Sequence, residues 1–343
     1  MAYTTINKSS SFMNPKIYTG TGSSNAVTGV GFQPDLVWVK DRDAANWNCL
    51  MDAVRGVSKV IYSNSTDAEA TVATLLTSFD SDGFTLGTSN DGNTNTNDYA
   101  SWNWLAGTTT GIAGSPSITP ASYSFNATSG FSIIKYVGTG ANATLPHGLG
   151  VAPKMIIIKE LDNTASWVTY HASLGNTKAV FIDTTQVPAV DSTYWQDTTP
   201  TSTLFSLGSN GNLNQSSTNY IAYCFADISG YSKFGSYTGN GNANGPFVYT
   251  GFKPAYYMTK RTDSTGDWRI RDNKRESFNP VDKPLSANSD AAENSNDNDW
   301  DIVSNGLKLR DTGTGENASG GTYIYMAFGQ TLVGTNNIPA TAR

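Results

Sequence analysis

The hexapeptide "YASWNW" (residues 99–104) returns as "YIAYCF" (220–225) and again as "YIYMAF" (323–328). Each opens on tyrosine and then alternates, the period of a strand that buries one face. Ala100, Trp102 and Trp104 make the core face in the first copy, Ile221, Tyr223 and Phe225 in the second, Ile324, Met326 and Phe328 in the third. The other face carries Tyr99, Ser101, Asn103 and their counterparts, which meet solvent or a neighbouring sheet.

What precedes each hexapeptide also returns. A turn feeding a short strand comes first, as "SFDSDGFTLG" (78–87), "TSTLFSLG" (201–208) and "DIVSNGLKL" (301–309). Further upstream stands a Tyr-x-Gly-x-Gly turn, then a proline (Pro34, Pro153, Pro254), then an apolar run ending in lysine (Lys40, Lys159, Lys260). A tryptophan closes the motif: Trp47 seven positions after its lysine, Trp167 and Trp268 eight after theirs. The glycines supply turn conformations that a side chain would penalise, and the proline fixes the chain before it enters a strand. "DLVWVK", "KMIIIK" and "AYYMTK" are short, rich in β-branched and aromatic residues, and bounded by turns, so they read as strands.

The pattern predicts an all-β fold of three tandem β-sandwich-like (jelly-roll-like) repeat modules with little helix. Residues 1–14 form a polar N-terminal arm, frayed or anchored by a partner, and residues 15–106 the first module. Residues 107–129 form a Gly/Ser/Thr/Pro linker, residues 130–227 the second module, 229–330 the third, and 331–343 a C-terminal tail. The long linker sets the first module apart, while the second and third pack closely. Residues 67–79, with acids leading into Ala and Leu, suit one or two helical turns.

Composition narrows the function. Of the 343 residues 15% are charged and the net charge is -6, with no basic stripe, which argues against nucleic acid. Arg269, Arg271, Lys274 and Arg275 alternate with acids and read as a solvated strand and turn. Two cysteines, Cys49 and Cys224, make no disulfide framework and read as buried small hydrophobes. The N-terminus has no signal-peptide h-region and the chain no apolar run of about 18 residues. Synthesis in the cytoplasm, without signal peptide or membrane insertion, is the expectation.

Catalytic constellations are sparse. A glycosidase needs two facing carboxylates, but none of the five glutamates sits between aromatics, and Asp52 and Asp272 find Tyr170 and His171 at the related place in the second copy. The only histidines, His147 and His171, read as surface residues and lack a Gly-x-Ser-x-Gly elbow. The glycine pairs precede strands, which removes a dinucleotide loop. No cofactor is called for. Calcium is the one candidate ion, for the oxygen-rich loops 80–98 and 288–301, although EF-hand spacing fails. Trp47, Trp167, Trp268 and Trp300, near turns rich in Asn and Asp, are the candidates for contact with a glycan. Their recurrence at fixed places favours rings that plug the ends of each sandwich.

The runs "GFQPDLVWVKDR", "DAVRGVSKVIYSNSTDAEAT", "LTSFDSDGFTLG" and "YASWNWLAG" resemble a β-rich repeat domain of virion structural proteins from tailed, mainly marine, bacteriophages. The match is strong over residues 28–107, weaker in the second copy and faint in the third, where "DNKRESFNP" lacks the "RG" step. The resemblance implies a virion-exterior location, in a tail fibre, tail appendage or capsid decoration, with other virion proteins and copies of the same chain as partners. It carries no catalytic residue. The chain has no heptads, collagen triplets or long β-helical repeats to build a shaft, which favours a short peripheral protein, non-enzymatic and adhesive. A carbohydrate-binding host-recognition adhesin, contacting a host surface glycan, is the alternative, and a glycan-degrading tail enzyme the third reading.

Overall fold

The computed structural model describes residues 4–294 and 299–331, and these form an all-β structure of antiparallel sheets with four single-turn α-helices. The central strands Leu36–Asp41, Met155–Glu160 and Phe252–Arg261 explain the architecture, because their apolar runs are buried on both faces. Leu36 and Trp38, Met155 and Ile157, and Tyr256 and Met258 all point into one shared core. The alternate residues Val37 and Val39, Ile156 and Ile158, and Tyr257 point into three separate smaller cores. A continuous apolar run is what a strand covered on two sides requires.

Each segment therefore contributes one large sheet and one small one. In the first the large sheet runs Met13–Thr19, Asp98–Trp104, Leu36–Asp41, Cys49–Asp52, Lys59–Tyr62, Ala70–Thr71. The second keeps that order as Phe131–Val137, Asn219–Phe225, Met155–Glu160, Val168–His171, Lys178–Phe181, Ala189–Val190, and adds Ser122–Asn126 outside the first strand. The third follows with Ser232–Thr238, Thr322–Thr331, Phe252–Arg261, Trp268–Asp272, Leu285–Ser286. The small sheet covers one face of each, sandwich-like, and the other face turns to the shared core.

The closing hexapeptides meet at the centre of that core. Trp104, Phe225 and Phe328, each five residues after its tyrosine, form a triangle with ring centroids 6.2, 6.0 and 5.8 Å apart. Trp102, Tyr223 and Met326 make the next layer and Ala100, Ile221 and Ile324 the one beyond. The face carrying Tyr99, Ser101 and Asn103 is buried under a neighbouring sheet.

Several expectations are corrected. The first segment is not set apart: it supplies Trp38, Trp102 and Trp104 to the shared core, since a sheet with an apolar inner face must bury it somewhere. Residues 107–129 are not a free linker. Ser122–Asn126 joins the second large sheet, and Ile118 is buried in that segment's own core. From residue 4 on, the N-terminal arm is anchored on the chain itself: Ile6 enters the shared core and Ser9 N–H donates to Gln330 Oε1 at 2.9 Å. Residues 67–79 hold no helix: Ala70–Thr71 and the start of Leu76–Asp80 are strands, the sheet contacts overriding local propensity. Of the C-terminal tail, residues 332–343 lie outside the described residues.

Candidate functional site

The Tyr-x-Gly-x-Gly turns grip the outer end of each segment. Tyr18 stacks on Tyr99 at 5.1 Å, Tyr136 on Tyr220 at 5.2 Å and Tyr237 on Tyr323 at 4.8 Å. Each closing tyrosine hydroxyl accepts a main-chain N–H and donates to a carbonyl of a single-turn helix, as Tyr99 does with Thr94 and Asn90. The two glycines differ in purpose. A Cβ on Gly20 would lie 2.1 Å from Thr94 O, whereas Gly22 has φ +64°, and the other copies repeat this division.

The lysines sit where adjoining segments meet. Lys159 Nζ donates to Ala165 O within its own loop and to Thr66 O of the first segment, at 3.0 and 3.1 Å. Lys260 Nζ bonds Gly266 O and Thr185 O of the second segment, and Lys40 Nζ bonds Asn46 O and Asp290 O of the third. The ring of contacts thus closes, first to third. Burial depresses each ammonium to about 8, and the carbonyl acceptors give these amines a structural task.

The tryptophan candidates separate in the same frame. Trp167 is buried, its Nε1–H donating to Tyr62 O and Ser65 O at 3.1 and 3.0 Å, and Trp268 is buried with its Nε1–H on Phe181 O at 2.8 Å. Trp300 is buried in the third segment's own core against Tyr237 and Tyr257. None of these three touches solvent, so their assignment as glycan contacts is withdrawn. Only Trp47 is exposed, at 40%, its ring tilted against Tyr62 with centroids 5.0 Å apart. It is not the counterpart of the other two: the residue eight positions after Lys40 is Asn48, whose Nδ2 donates to Ser286 O, Ala287 O and Ser289 O of the third segment. The one-residue difference in spacing was the signal for Asn48.

The chemistry-bearing side chains are likewise engaged between sheets. Asp52 accepts from Arg55 at 2.5 Å and from the Tyr223 hydroxyl at 2.7 Å, and Asp272 accepts from Arg275 at 2.7 Å and from Trp102 Nε1–H at 3.0 Å. Burial alone would raise the Asp272 carboxyl, but Arg275 beside it holds it below the usual carboxylate range. The third closing strand offers Met326 at the place of Tyr223 and Trp102, with no donor for a carboxylate. There His171 stands instead, its Nε2 against Tyr325 O at 3.1 Å and its Nδ1 accepting from Ser173 N. Both histidines are buried, correcting their reading as surface residues. Burial pushes each down to about 4. Arg271 and Arg275 are buried on Glu316 and Asp272, not solvated, each guanidinium entering the interior with a carboxylate beside it.

All five glutamates have partners: Arg55 and Lys59 for Glu69, Asn163 for Glu160, main-chain N–H groups for Glu276, Arg42 and Arg275 for Glu293, Arg271 for Glu316. Among the described residues no three His, Cys, Asp or Glu side chains gather as ion ligands. In the first oxygen-rich loop Asp80 accepts from Ser78 and Thr85 hydroxyls. Part of the second, residues 295–298, lies outside the described residues. Cys49 and Cys224 are buried and unpaired. Among the described residues no helix is long and apolar enough to cross a membrane.

The exposed aromatics that the sequence reading missed are Phe247 at 46%, Tyr249 at 59% and Phe278 at 82%. The alternation in "FVY", where the other copies have "AVT" and "TLP", was the signal for Phe247 and Tyr249. The class defined here is an all-β protein of sheet pairs around a shared core, with polar fasteners at the seams and aromatic rings on the outside. A family model described as a domain of unknown function (DUF7483) matches residues 8–331, and the chain belongs to that family. No curated protein matches the chain significantly.

Proposed function

We propose that this chain is a non-enzymatic structural protein of the bacteriophage virion surface, acting in particle assembly, stabilisation or host adhesion as a capsid decoration or tail appendage. One observation supports the reading beyond the resemblance of residues 28–107: Lys40, Lys159 and Lys260 are buried and bonded to main-chain carbonyls of neighbouring segments, closing a ring of contacts. Contacts of this kind tie the three segments together, which suits a component of a particle's outer surface. Purified particles labelled with an antibody to this chain and viewed by electron microscopy test it. Label on head or tail is the expected result; particles free of the chain after gradient purification overturn it.

A second reading, carbohydrate binding in host recognition, is favoured by the exposed rings, Trp47 on Tyr62 among them. Loss of binding to host polysaccharide on Trp47→Ala supports a site there, and unchanged binding removes Trp47 from it.

A further inference from the structure

We propose that the outward face of the third small sheet is a carbohydrate-binding platform on which the rings of Phe247 and Tyr249 stack against sugar rings. This rests on the carbohydrate-binding reading and gives it a site apart from Trp47. The face follows from register. Val248, Leu307 and Ile302 point into the segment's own core, so the alternate residues of the strands Phe247–Tyr249, Gly306–Leu309 and Trp300–Val303 point out. Across that face Phe247 lies opposite Lys308, which lies opposite Asp301, and Tyr249 lies opposite Gly306. The two rings are 6.5 Å apart at 59°. A Cβ on Gly306 would come within 2.8 Å of the Phe247 ring, so the ring lies down over the buried glycine, which sets it against the sheet with its other face outward.

The other two segments act as internal controls. At the places of Phe247 and Tyr249 the first segment has Ala26 and Thr28, with no ring to cover. The second has Thr144 and Pro146, and covers them itself: Gly114 lies against Pro146 and Leu204, and Ile118 N–H donates to Thr144 O at 3.1 Å. Only the third segment leaves large rings in water at this position.

The size of the patch selects its occupant. Aromatic side chains carry about 150–250 Å² each, so exposures of 46% and 59% leave roughly 200 Å² open. A partner in a standard protein interface contributes about 800 Å². The patch is a quarter of that, and suits the C–H faces of a few sugar rings. The rim supplies what hydroxyl groups require: Lys308 Nζ has donors beyond the one it gives Gly245 O, and Asp301, paired with Arg310, has a second carboxylate oxygen. Mixed aromatic and charged chemistry of this kind recognises a polyhydroxylated ligand better than an apolar one.

The test is calorimetric titration of the full chain with neutral tetra- to hexasaccharides of β-1,4-glucan, β-1,3-glucan and α-mannan, repeated with Phe247→Ala, Tyr249→Ala and Trp47→Ala. Binding of at least one oligosaccharide is expected, weakened about threefold to tenfold by each ring removed and unchanged by Trp47→Ala. Because both rings are exposed, thermal unfolding of the variants should match the parent, which separates lost contact from lost fold. Binding abolished by Trp47→Ala alone overturns this site and leaves the carbohydrate-binding reading standing. No binding to any of the three sugars, or a dimer of the chain that Phe247→Ala dissociates, overturns the platform; neither result touches the particle-surface reading.

Discussion

Asn48 and Trp47 stand side by side, and their neighbours make opposite demands on them. Asn48 is buried and is the donor for three carbonyls of another segment, whereas Trp47 lies on the surface against Tyr62. Asn48→Ala leaves buried acceptors unsatisfied and should cost about 1–3 kcal/mol, while Trp47→Ala, which loses one aromatic contact at the surface, should cost less, about 0.5–1.5 kcal/mol. Urea unfolding of both variants checks the order, and a larger loss for Trp47→Ala would refute the register assigned here. The histidines give a pH signature. His147 and His171 are neutral in the folded chain, their carboxyl-free surroundings of main-chain groups holding Nε2–H as donor and Nδ1 as acceptor. Their folded pKa of about 4 lies below the unfolded value near 6.5. Between those values the unfolded chain binds more protons, so stability falls as pH drops from about 6.5 toward 4. His171→Gln should remove about one proton's worth of that slope; an unchanged slope in urea titrations across the window would contradict the assignment.

At the scale of the element, the glycine pair of each outer turn separates two kinds of constraint that sequence alone treats alike. Gly20 is required by approach, since a Cβ there would sit 2.1 Å from Thr94 O, a main-chain atom with little freedom to move. Gly22 is required by conformation, at φ +64°, with its nearest neighbour 3.3 Å from the added Cβ. Gly22→Ala should therefore cost about 1–2 kcal/mol, and Gly20→Ala more, about 3 kcal/mol, because the turn and the helix residues Asn90–Asn93 that Tyr18 and Tyr99 hold must separate. Thermal denaturation ranks the two. Equal losses would mean that the turn yields and the close approach is not a constraint. The seam strands show the same economy of means: the penultimate lysine of each central strand lies on the face that carries the shared core, which is why its amine reaches a neighbouring segment's carbonyl and not solvent.

For the whole molecule, the shared core makes the three segments one cooperative unit. Trp104, Phe225 and Phe328 touch one another across three sheets, so no segment can unfold without exposing the inner faces of the other two. Calorimetry should give one transition for the full chain, with calorimetric and van't Hoff enthalpies that agree. Trp104→Ala should lower the entire transition by about 3–5 kcal/mol and not split it. Two or three resolved transitions would mean that the separate small cores suffice to hold each segment alone.

The hexapeptide "YASWNW" and its two returns were enough to read strands, their inward residues and a threefold recurrence, because a period of two and fixed turn residues are local properties of the chain. The burial of both cysteines was legible from residue type, since an unpaired cysteine behaves as a small hydrophobe. Where the inward faces go was not legible. Alternation states that Trp102 and Trp104 are covered, but the cover comes from residues over a hundred positions away, and the same pattern fits three closed modules equally well. The burial of Trp167, Trp268 and Trp300, the seats of the lysines and histidines, and the exposure of Phe247 and Tyr249 all depend on that choice. Local sequence fixed which side of each strand is apolar; only the packing of three sheets against one another decided what that side would meet.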